Sequence, residues 1–396
     1  MRLPILATIA LVLLASPLAG QKEKGEKIPK RPRLAAGADT NSALAFYMYG
    51  RSKLPKQPDE AASAFYWAAR LAPQWAEPYY ARRIALHLAR RSQLVDYVIG
   101  RDFIVNSKES RQIDSLQYQA LIRNPFFLPV LDRLLIDEVL YRLSDGEAYM
   151  SYGARTGDPS YDAWKAFLGG QYERAVRYYA DAIKKYPKAP RLHASRARAF
   201  YALQAYDSAA AEMGLVLEKL AKEDSKQIVY FFDSRAMYEF SIGAAHVAGG
   251  DDAKAKEAYA RALEADLSFY MAHAALGDIA LRQRDTATAL SEYDLAVQIK
   301  EDDAALRFGY ALALIQANRA MDAMKQLERT VELEPYFALP YFYMGRLYDV
   351  AEMAEEAKAQ YERFLARAAQ HLDERQWVEE RLATLKGAGQ AGEAKP

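Results

Sequence analysis

An internal repeat of 34 residues constrains the fold of this chain more than any other feature of its sequence. Repeats follow one another without a gap from residues 236, 270, 304 and 338, and the same frame extends back to repeats opening at 190 and 156. Position 20 is alanine in all six repeats: Ala175, Ala209, Ala255, Ala289, Ala323 and Ala357. A fixed period of this length is typical of arrays of stacked units.

Two further repeat positions explain the period as a packing requirement. Position 8 is small and position 24 is large in the last four repeats: Gly243, Gly277, Ala311 and Gly345, with Tyr259, Tyr293, Leu327 and Tyr361. Small residues at positions 8 and 20 let two antiparallel helices approach closely, while the large residue fills the space towards the next repeat. The sequence therefore predicts an all-α fold: a right-handed α-solenoid of antiparallel helix hairpins with a C-terminal capping helix.

These residues resemble the tetratricopeptide repeat family. The family pattern of a bulky residue, Leu-Gly and then alternating alanines and aromatic residues is present as His273, Leu276, Gly277, Ala289, Tyr293 and Ala296. Pro187 and Pro335 occupy the closing proline position, Leu267 replaces one such proline, and Phe364 replaces the alanine of position 27. The resemblance implies a superhelix whose first helices, one from each hairpin, line a concave groove. It does not identify a subfamily.

Interruptions of the repeat frame divide the chain into segments. In order they are a signal peptide (1–20), a basic flexible linker (21–38), N-terminal hairpins similar to tetratricopeptide repeats (39–109), an atypical helical hairpin (110–155), two repeats (156–223), a helix-extending insertion (224–235), four repeats in strict register (236–371), a capping helix (372–386) and a disordered tail (387–396). In the atypical hairpin, we expect one helix to end before Asn124-Pro125 and another to run from about Phe127 to Leu143.

The N-terminus has the pattern of a secretory signal. Arg2 precedes an apolar run from Leu3 to Leu14, and small residues follow up to Gly20. The run is shorter than the roughly 20 apolar residues of a spanning helix. We expect cleavage near Gln21 and a secreted or periplasmic protein of the bacterial envelope. Because the residues after Gln21 are basic, which opposes export, an uncleaved membrane anchor and a cytoplasmic protein remain as alternatives.

Charge balance and residue usage exclude several classes of function. The 53 Lys and Arg against 52 Asp and Glu leave a net charge of +1, which argues against a nucleic-acid partner. The chain has no cysteine, so disulfides, thiolate nucleophiles and cysteine-based metal sites are excluded. Its five histidines never have the spacing of a zinc protease motif. We therefore predict a protein that is not an enzyme and binds no cofactor and no metal.

Individual polar residues are better explained by structural roles. Asp251 and Asp285 follow the first helices of their hairpins, where a carboxylate caps the next helix. His246 and His273 occupy positions packed between helices, so we expect buried, hydrogen-bonded imidazoles and not catalytic bases. Asp132 lies on a predicted helix with other charged residues, which indicates a solvated charged face.

The resemblance also places a partner-binding groove on this chain. Transferring the family's groove positions gives aromatic residues mixed with isolated charges: Trp164, Phe167, Arg198, Tyr201, Phe240, Asp278, Arg282, Phe308, Ile315, Phe342, Arg346 and Asp349. Such a composition is typical of protein interfaces, although each aromatic residue could instead pack against a neighbouring helix. The Lys and Asn that clamp a terminal carboxylate in chaperone-binding members are missing. We expect a protein or peptide partner with acidic and apolar residues.

The insertion at 224–235 provides a possible second surface. Ser225 can cap a helix that continues into the next repeat, and five successive apolar residues, 228–232, cannot all point inward. They either dock under the atypical hairpin or protrude towards a partner. The candidates for this second surface are Ile228, Tyr230, Phe231 and Phe232.

Two functions from different classes follow. The first is a non-catalytic extracytoplasmic scaffold that holds a peptide or protein in its concave groove, in envelope assembly or polymer secretion. The second is a carbohydrate-processing or other hydrolytic protein with an unrecognised site on the solenoid. A convergent carboxylate pair in a deep pocket would favour the second function, and a continuous open groove would favour the first. A membrane partner is expected only if the N-terminal segment is uncleaved.

Overall fold

The computed structural model describes residues 28–89, 108–129, 131–132, 134, 158–223, 234–370 and 372–393. These residues contain 17 helices and no strands, which confirms the predicted all-α fold. Residues 1–30 form one unit, of which 28–30 are described, and residues 31–396 form the second. No helix in the described part is both long and apolar enough to cross a membrane. The predicted signal peptide, the second surface at 228–232 and most of the second helix of the atypical hairpin lie outside the described residues.

Four helices precede the regular repeats in the described chain. They are α1 (Ala43–Lys53), α2 (Pro58–Leu71), α3 (Ala76–Ala89) and α4 (Lys108–Arg123). The hydroxyl of Ser42 caps α1 by accepting a hydrogen bond from the backbone N–H of Ala45 at 3.2 Å. Helix α4 ends directly before Asn124-Pro125, as the sequence predicts, because proline blocks its continuation.

Six antiparallel hairpins form the regular repeats. Their first helices are α5 (Pro159–Leu168), α7 (Pro190–Ala202), α9 (Arg235–Ala248), α11 (Tyr270–Arg282), α13 (Ala304–Gln316) and α15 (Leu339–Val350). Their second helices are α6 (Tyr172–Lys185), α8 (Tyr206–Glu223), α10 (Asp252–Ala265), α12 (Thr286–Ile299), α14 (Ala320–Leu333) and α16 (Ala354–Leu365). The last four second helices begin at residues 252, 286, 320 and 354, so each hairpin is one period of the sequence repeat.

Close helix contact in each hairpin follows from the small residues of the repeat. All six alanines at position 20 have no exposed surface. The turn between the two helices also recurs, since position 15 has a positive φ in every repeat: Gly170, Gln204, Gly250, Arg284, Asn318 and Glu352. Glycine and asparagine tolerate this left-handed conformation, whereas the other three residues adopt it against their preference. The tight turn is therefore imposed by helix packing and not by local sequence alone.

The predicted helix caps and the predicted capping helix are both present. A carboxylate oxygen of Asp251 accepts from the backbone N–H of Lys254 at 3.0 Å, and Asp285 accepts from Thr288 at 3.1 Å. Helix α17 (Asp373–Glu393) covers the last hairpin with the fully buried Val378. The sequence placed the end of this helix too early, at Lys386. No proline lies between Lys386 and Glu393, so the helix continues to Glu393 although three of these seven residues are glycines.

The N-terminal helices α2 and α4 pack against the loops that join the later repeats, at a contact that we call the seam. The rings of Trp67 in α2 and Tyr336 before α15 meet edge to face with centroids 4.8 Å apart. Arg70 pairs with Glu334 at 2.6 Å. The buried Arg123 at the end of α4 pairs with Asp303 at 3.2 Å. Residues far apart in sequence thus join the N-terminal helices to the last repeats.

Residues 31–38 are not the flexible linker that the sequence predicted. The guanidinium of Arg31 lies over the rings of Phe46, Trp67 and Tyr336, and an N–H of Arg31 donates to the carbonyl of Thr40. The basic composition suggested solvation, but the long side chain of Arg31 finds aromatic surface at the seam. This end of the segment is therefore anchored.

Glu334 makes the stability of the seam depend on pH. Burial raises the pKa of Glu334 to about 7, although the nearby Arg70 acts in the opposite direction. The pKa of Glu334 in the folded state therefore lies above its ordinary value of 4.5, so folding favours the protonated carboxyl. The contribution of this group to stability is complete below pH 4.5. It is lost as pH rises through 7. We expect the unfolding free energy of the wild type, relative to Glu334→Gln, to fall across this interval and then to level off.

Denaturant titrations of both proteins between pH 4.5 and 8 measure this difference. The matched control is Glu332→Gln, since the Glu332 side chain is 61% exposed and, among the described residues, forms its salt bridge with Arg329 on its own helix. A wild-type curve parallel to that of Glu334→Gln over the whole interval would contradict the prediction.

Candidate functional site

A repeated polar pair explains His273. Its Nδ1 atom lies 2.7 Å from a carboxylate oxygen of Glu292, so the ring links the two helices of one hairpin. The same two repeat positions hold the buried His193 and Glu212, at 2.8 Å. The expectation of a hydrogen-bonded imidazole is confirmed for His273, and the recurrence indicates a structural pair.

His246 and Asp132 differ from what the sequence suggested. His246 is partly buried, but its Nδ1 makes no hydrogen bond within the described structure, because the carboxylate of Asp207 is 3.9 Å away. Burial lowers the pKa of His246. Asp132 does not lie on a solvated face: it accepts a hydrogen bond from the hydroxyl of Tyr80 at 2.5 Å, and burial raises the pKa of its carboxyl. Its position against α3 draws it into the protein.

Three of the proposed groove residues are buried and cannot contact a partner in this structure. Phe167, Phe240 and Phe342 are 4%, 5% and 6% exposed. Phe240 packs on Phe269, the residue directly before the next repeat, with centroids 5.3 Å apart. Phe342 lies under Trp377 of the capping helix at 5.7 Å. Phe240 joins a neighbouring repeat, Phe342 joins the capping helix, and Phe167 packs on Tyr172 within its own hairpin at 5.6 Å. Packing of this kind is the alternative role that the sequence left open.

Three further groove candidates contact side chains of their own chain. The ring of Tyr201 stacks on Phe126 at 4.1 Å, and that of Phe308 packs against Phe337 at 4.9 Å. Asp349 accepts two hydrogen bonds from Arg381 of the capping helix, at 2.8 and 2.7 Å. These pairs hold a carboxylate and two half-exposed rings in place.

Trp164 and Arg198 lie in the earlier repeats, where little of the predicted groove is open. The half-buried Trp164 has Tyr161 as an aromatic neighbour at 5.9 Å. The half-buried Arg198 is close enough to Asp132 to favour its ionised form, and so opposes the effect of burial on the pKa of that carboxyl. Neither residue joins the exposed candidates of the later repeats.

The later repeats retain exposed groove residues. Asp278 and Arg282 of α11 and Arg346 of α15 are exposed. Ile315, on the intervening first helix α13, is half-buried. Together with Leu281, Leu312, Gln316 and Val350 they occupy equivalent positions of α11, α13 and α15, and we call these eight residues the groove stripe. Val350, whose side chain is 81% exposed, was missed because it was not carried over as a groove position.

The two arginines of the groove stripe are paired only weakly. Arg282 donates to Asp252 at 2.7 Å, but 47% of the arginine side chain is exposed. Arg346 lies over the ring of Trp377 with its guanidinium carbon 5.2 Å from the centroid. Exposed ion pairs contribute about 0–1 kcal/mol, so another carboxylate can replace Asp252 at little cost.

Comparison with known proteins identifies the repeats. A family model described as tetratricopeptide repeat matches residues 163–224 and 240–304, which correspond to hairpins of the array. These two stretches of the chain carry tetratricopeptide repeats. Tetratricopeptide repeats are scaffolds for protein–protein interaction, so this chain carries an interaction scaffold. Among curated proteins, none matches the sequence significantly.

Several solved structures are similar to parts of the chain at low sequence identity. The C-terminal part of a repeat protein from Cytophaga hutchinsonii is 17% identical, with a TM-score of 0.43, over 52% of this chain and 77% of that one. YrrB, described as a tetratricopeptide protein with an unusual peptide-binding site, is 21% identical, with a TM-score of 0.38, over 49% and 93%. Yeast Tom70 is 12% identical, with a TM-score of 0.43, over 88% and 90%.

The described part of this chain shows no constellation suited to metal chemistry. Within it, no group of three or more histidines and carboxylates lies close enough together to hold a metal ion. Most of the polar groups described above are instead helix caps, ion pairs, interhelical pairs or members of the groove stripe. The groove stripe is therefore the surface with unassigned binding capacity.

Proposed function

We propose that this protein is a non-catalytic scaffold that binds an extended segment of a protein partner along the groove stripe. The observation that supports this proposal is the recurrence of accessible residues at equivalent positions of three successive first helices. A short ligand would meet one helix only. A segment that crosses α11, α13 and α15 can contact both arginines and the apolar residues between them.

The chemistry of the groove stripe suggests the character of the partner. Leu281, Leu312 and Ile315 offer half-buried apolar surface, which suits aliphatic or aromatic anchors. Arg282 and Arg346 flank this surface and favour carboxylates, while Asp278 adds one negative charge. We therefore infer a segment with apolar anchors and acidic neighbours.

Crosslinking and binding kinetics test this proposal. A photoreactive amino acid at Gln316 should capture a partner, whereas the same group at the exposed Glu328, on a second helix, should not. Once a partner is captured, Arg282→Ala with Arg346→Ala should slow its association and flatten the salt dependence, because both charges steer the encounter. Ile315→Ala should mainly speed dissociation and cost about 1–3 kcal/mol of binding free energy.

The control for the arginine variants is Arg329→Ala. Its side chain is 47% exposed and ion-paired, as is that of Arg282, but it lies on a second helix. Binding of the double arginine variant with wild-type affinity and an unchanged salt slope would reject the groove stripe as the partner site.

We further propose that the scaffold works outside the cytoplasm, in envelope assembly or polymer secretion. The support is the pattern of Arg2, the apolar run and the small residues up to Gly20. The mass of the protein isolated from its source should correspond to an N-terminus near Gly20 or Gln21. A mass that retains Met1 would contradict cleavage, and fractionation of membranes would then separate an anchored from a cytoplasmic protein.

A further inference from the structure

Three aromatic rings at the seam surround one guanidinium group. The guanidinium carbon of Arg31 lies 5.1 Å from the ring centroid of Phe46, 4.9 Å from that of Trp67 and 5.9 Å from that of Tyr336. Phe46 belongs to α1, Trp67 to α2 and Tyr336 to the loop before α15. The rings therefore come from both ends of the helical array.

Arg31 is held by these rings without a counter-charge from the described residues. Its Nε atom is buried and makes no hydrogen bond in this part of the chain, and a terminal N–H donates to the carbonyl of Thr40. Burial lowers the pKa of Arg31, which is the direction expected for a desolvated cation. The faces of three rings supply the attraction that a carboxylate would otherwise provide.

The segment after Arg31 reaches the far end of the array. A carboxylate oxygen of Asp39 accepts a hydrogen bond from the backbone N–H of Gln370 at 2.8 Å. The side-chain amide of Asn41 donates to the carbonyl of Ala366 at 3.1 Å. Residues 31–41, which we call the strap, therefore contact both the aromatic rings and the turn after α16.

We propose that Phe46, Trp67 and Tyr336 form a guanidinium-binding cage, and that Arg31 is its intramolecular ligand. By filling the cage, Arg31 fastens the strap and holds the N-terminal helices against the last repeats. A cavity of about 350 Å³ lies beside the strap, with Leu44, Trp75 and Leu372 among its lining residues. Its walls come from the same two ends of the array, so release of the strap alters this cavity as well.

Hydrogen exchange of the full chain tests the fastening role. Arg31→Ala should speed exchange of the Gln370 amide at least tenfold, since loss of the cage contact frees the strap that protects it. Arg33→Ala is the matched control, because Arg33 is an exposed arginine of the same strap. Exchange in Arg31→Ala equal to that in Arg33→Ala would overturn the fastening role.

A peptide in trans tests the cage itself. An acetylated, amidated peptide of residues 31–34, added to Arg31→Ala, should shift the NMR signal of the Trp67 indole N–H. The wild type should not respond, because its own Arg31 occupies the cage at high effective concentration. A peptide with lysine in place of its first arginine should bind several-fold more weakly, since an ammonium lacks the planar face that stacks on the rings. An equal response from both peptides, or none from either, would overturn the cage.

Arg31→Lys gives an independent reading if Arg31→Ala does not fold. This variant keeps the positive charge and should remain folded. Its Gln370 amide should exchange faster than that of the wild type, because an ammonium lacks the planar face that stacks on the rings. Wild-type exchange in Arg31→Lys would show that any cation suffices and would overturn the guanidinium assignment.

Discussion

Gly243→Ala is expected to destabilise the array by about 1–3 kcal/mol, even though alanine is the better helix former. A Cβ atom at residue 243 would lie 2.5 Å from Cδ1 and 2.8 Å from Cζ of Tyr259. Tyr259 is 3% exposed, so its ring has little room to move away. The added methyl group must therefore separate α9 from α10 or displace the ring. Urea denaturation midpoints of the variant and the wild type measure the loss.

The chain contains both a control and a rescue for this prediction. Gly214 lies within α8, and a Cβ there would meet no atom within 4 Å, so Gly214→Ala should raise stability by about 0.5–1 kcal/mol. In the repeat where position 8 is Ala311, position 24 is Leu327, and both are fully buried. Gly243→Ala combined with Tyr259→Leu reproduces that pair and should recover part of the loss. A variant Gly243→Ala as stable as the wild type would contradict this packing.

The hairpins could be predicted because their determining contacts recur at a fixed spacing in the sequence. The residue at position 8 meets the residue at position 24 within one repeat, so the small-to-large pattern records the helix contact directly. Capping carboxylates such as Asp251 act over three residues, which also makes them readable from sequence. Local interactions of this kind determined most of the fold.

The groove was predicted less well because groove positions also serve the contacts between repeats. Phe240 pairs with Phe269, and Phe308 pairs with Phe337, at the same two positions of their repeats. This pairing is visible in the sequence, because both repeats have an aromatic residue at position 5 and another at position 34. Reading the two positions together would have assigned Phe240 to packing and left the groove stripe as the candidate.

The seam could not be predicted from the repeat period. Its contacts join single residues such as Arg70 and Glu334, whose partners follow no repeated spacing. The charge of Arg31 indicated a solvated linker, whereas its guanidinium packs on rings that folding brings together from both ends of the array. Such contacts depend on how the superhelix closes, which one sequence does not encode locally.

Asp303→Ala is expected to have the largest effect of any single substitution at the seam. The Asp303 side chain is 6% exposed, and its Oδ2 atom accepts hydrogen bonds from Arg123 at 3.2 Å and from the hydroxyl of Tyr270 at 3.4 Å. Its Oδ1 atom accepts from the backbone N–H of Leu306 at 3.1 Å and so caps α13. Removal of the carboxylate leaves the buried Arg123 with hydrogen bonds to Pro73 and Gln119 but without its counter-charge. Loss of one partner of a buried ion pair costs about 3–5 kcal/mol.

Three further variants separate the charge of Asp303 from its cap. Asp303→Asn keeps a capping oxygen and should lose less stability than Asp303→Ala, because the cap alone is worth about 1 kcal/mol. Combining Asp303→Asn with Arg123→Met removes the unpaired cation and should recover much of the remaining loss. Asp302→Ala is the control, since the Asp302 side chain is 66% exposed and, in the described part of the chain, forms its salt bridge with Lys300 at the surface. Denaturant midpoints that place Asp303→Ala beside Asp302→Ala would show that the N-terminal helices do not depend on this ion pair. We expect Asp302→Ala to be the most stable variant, followed by the double variant, then Asp303→Asn, and finally Asp303→Ala. Asp303→Ala is the least stable because it alone loses the cap and also leaves the guanidinium without any oxygen partner from residue 303.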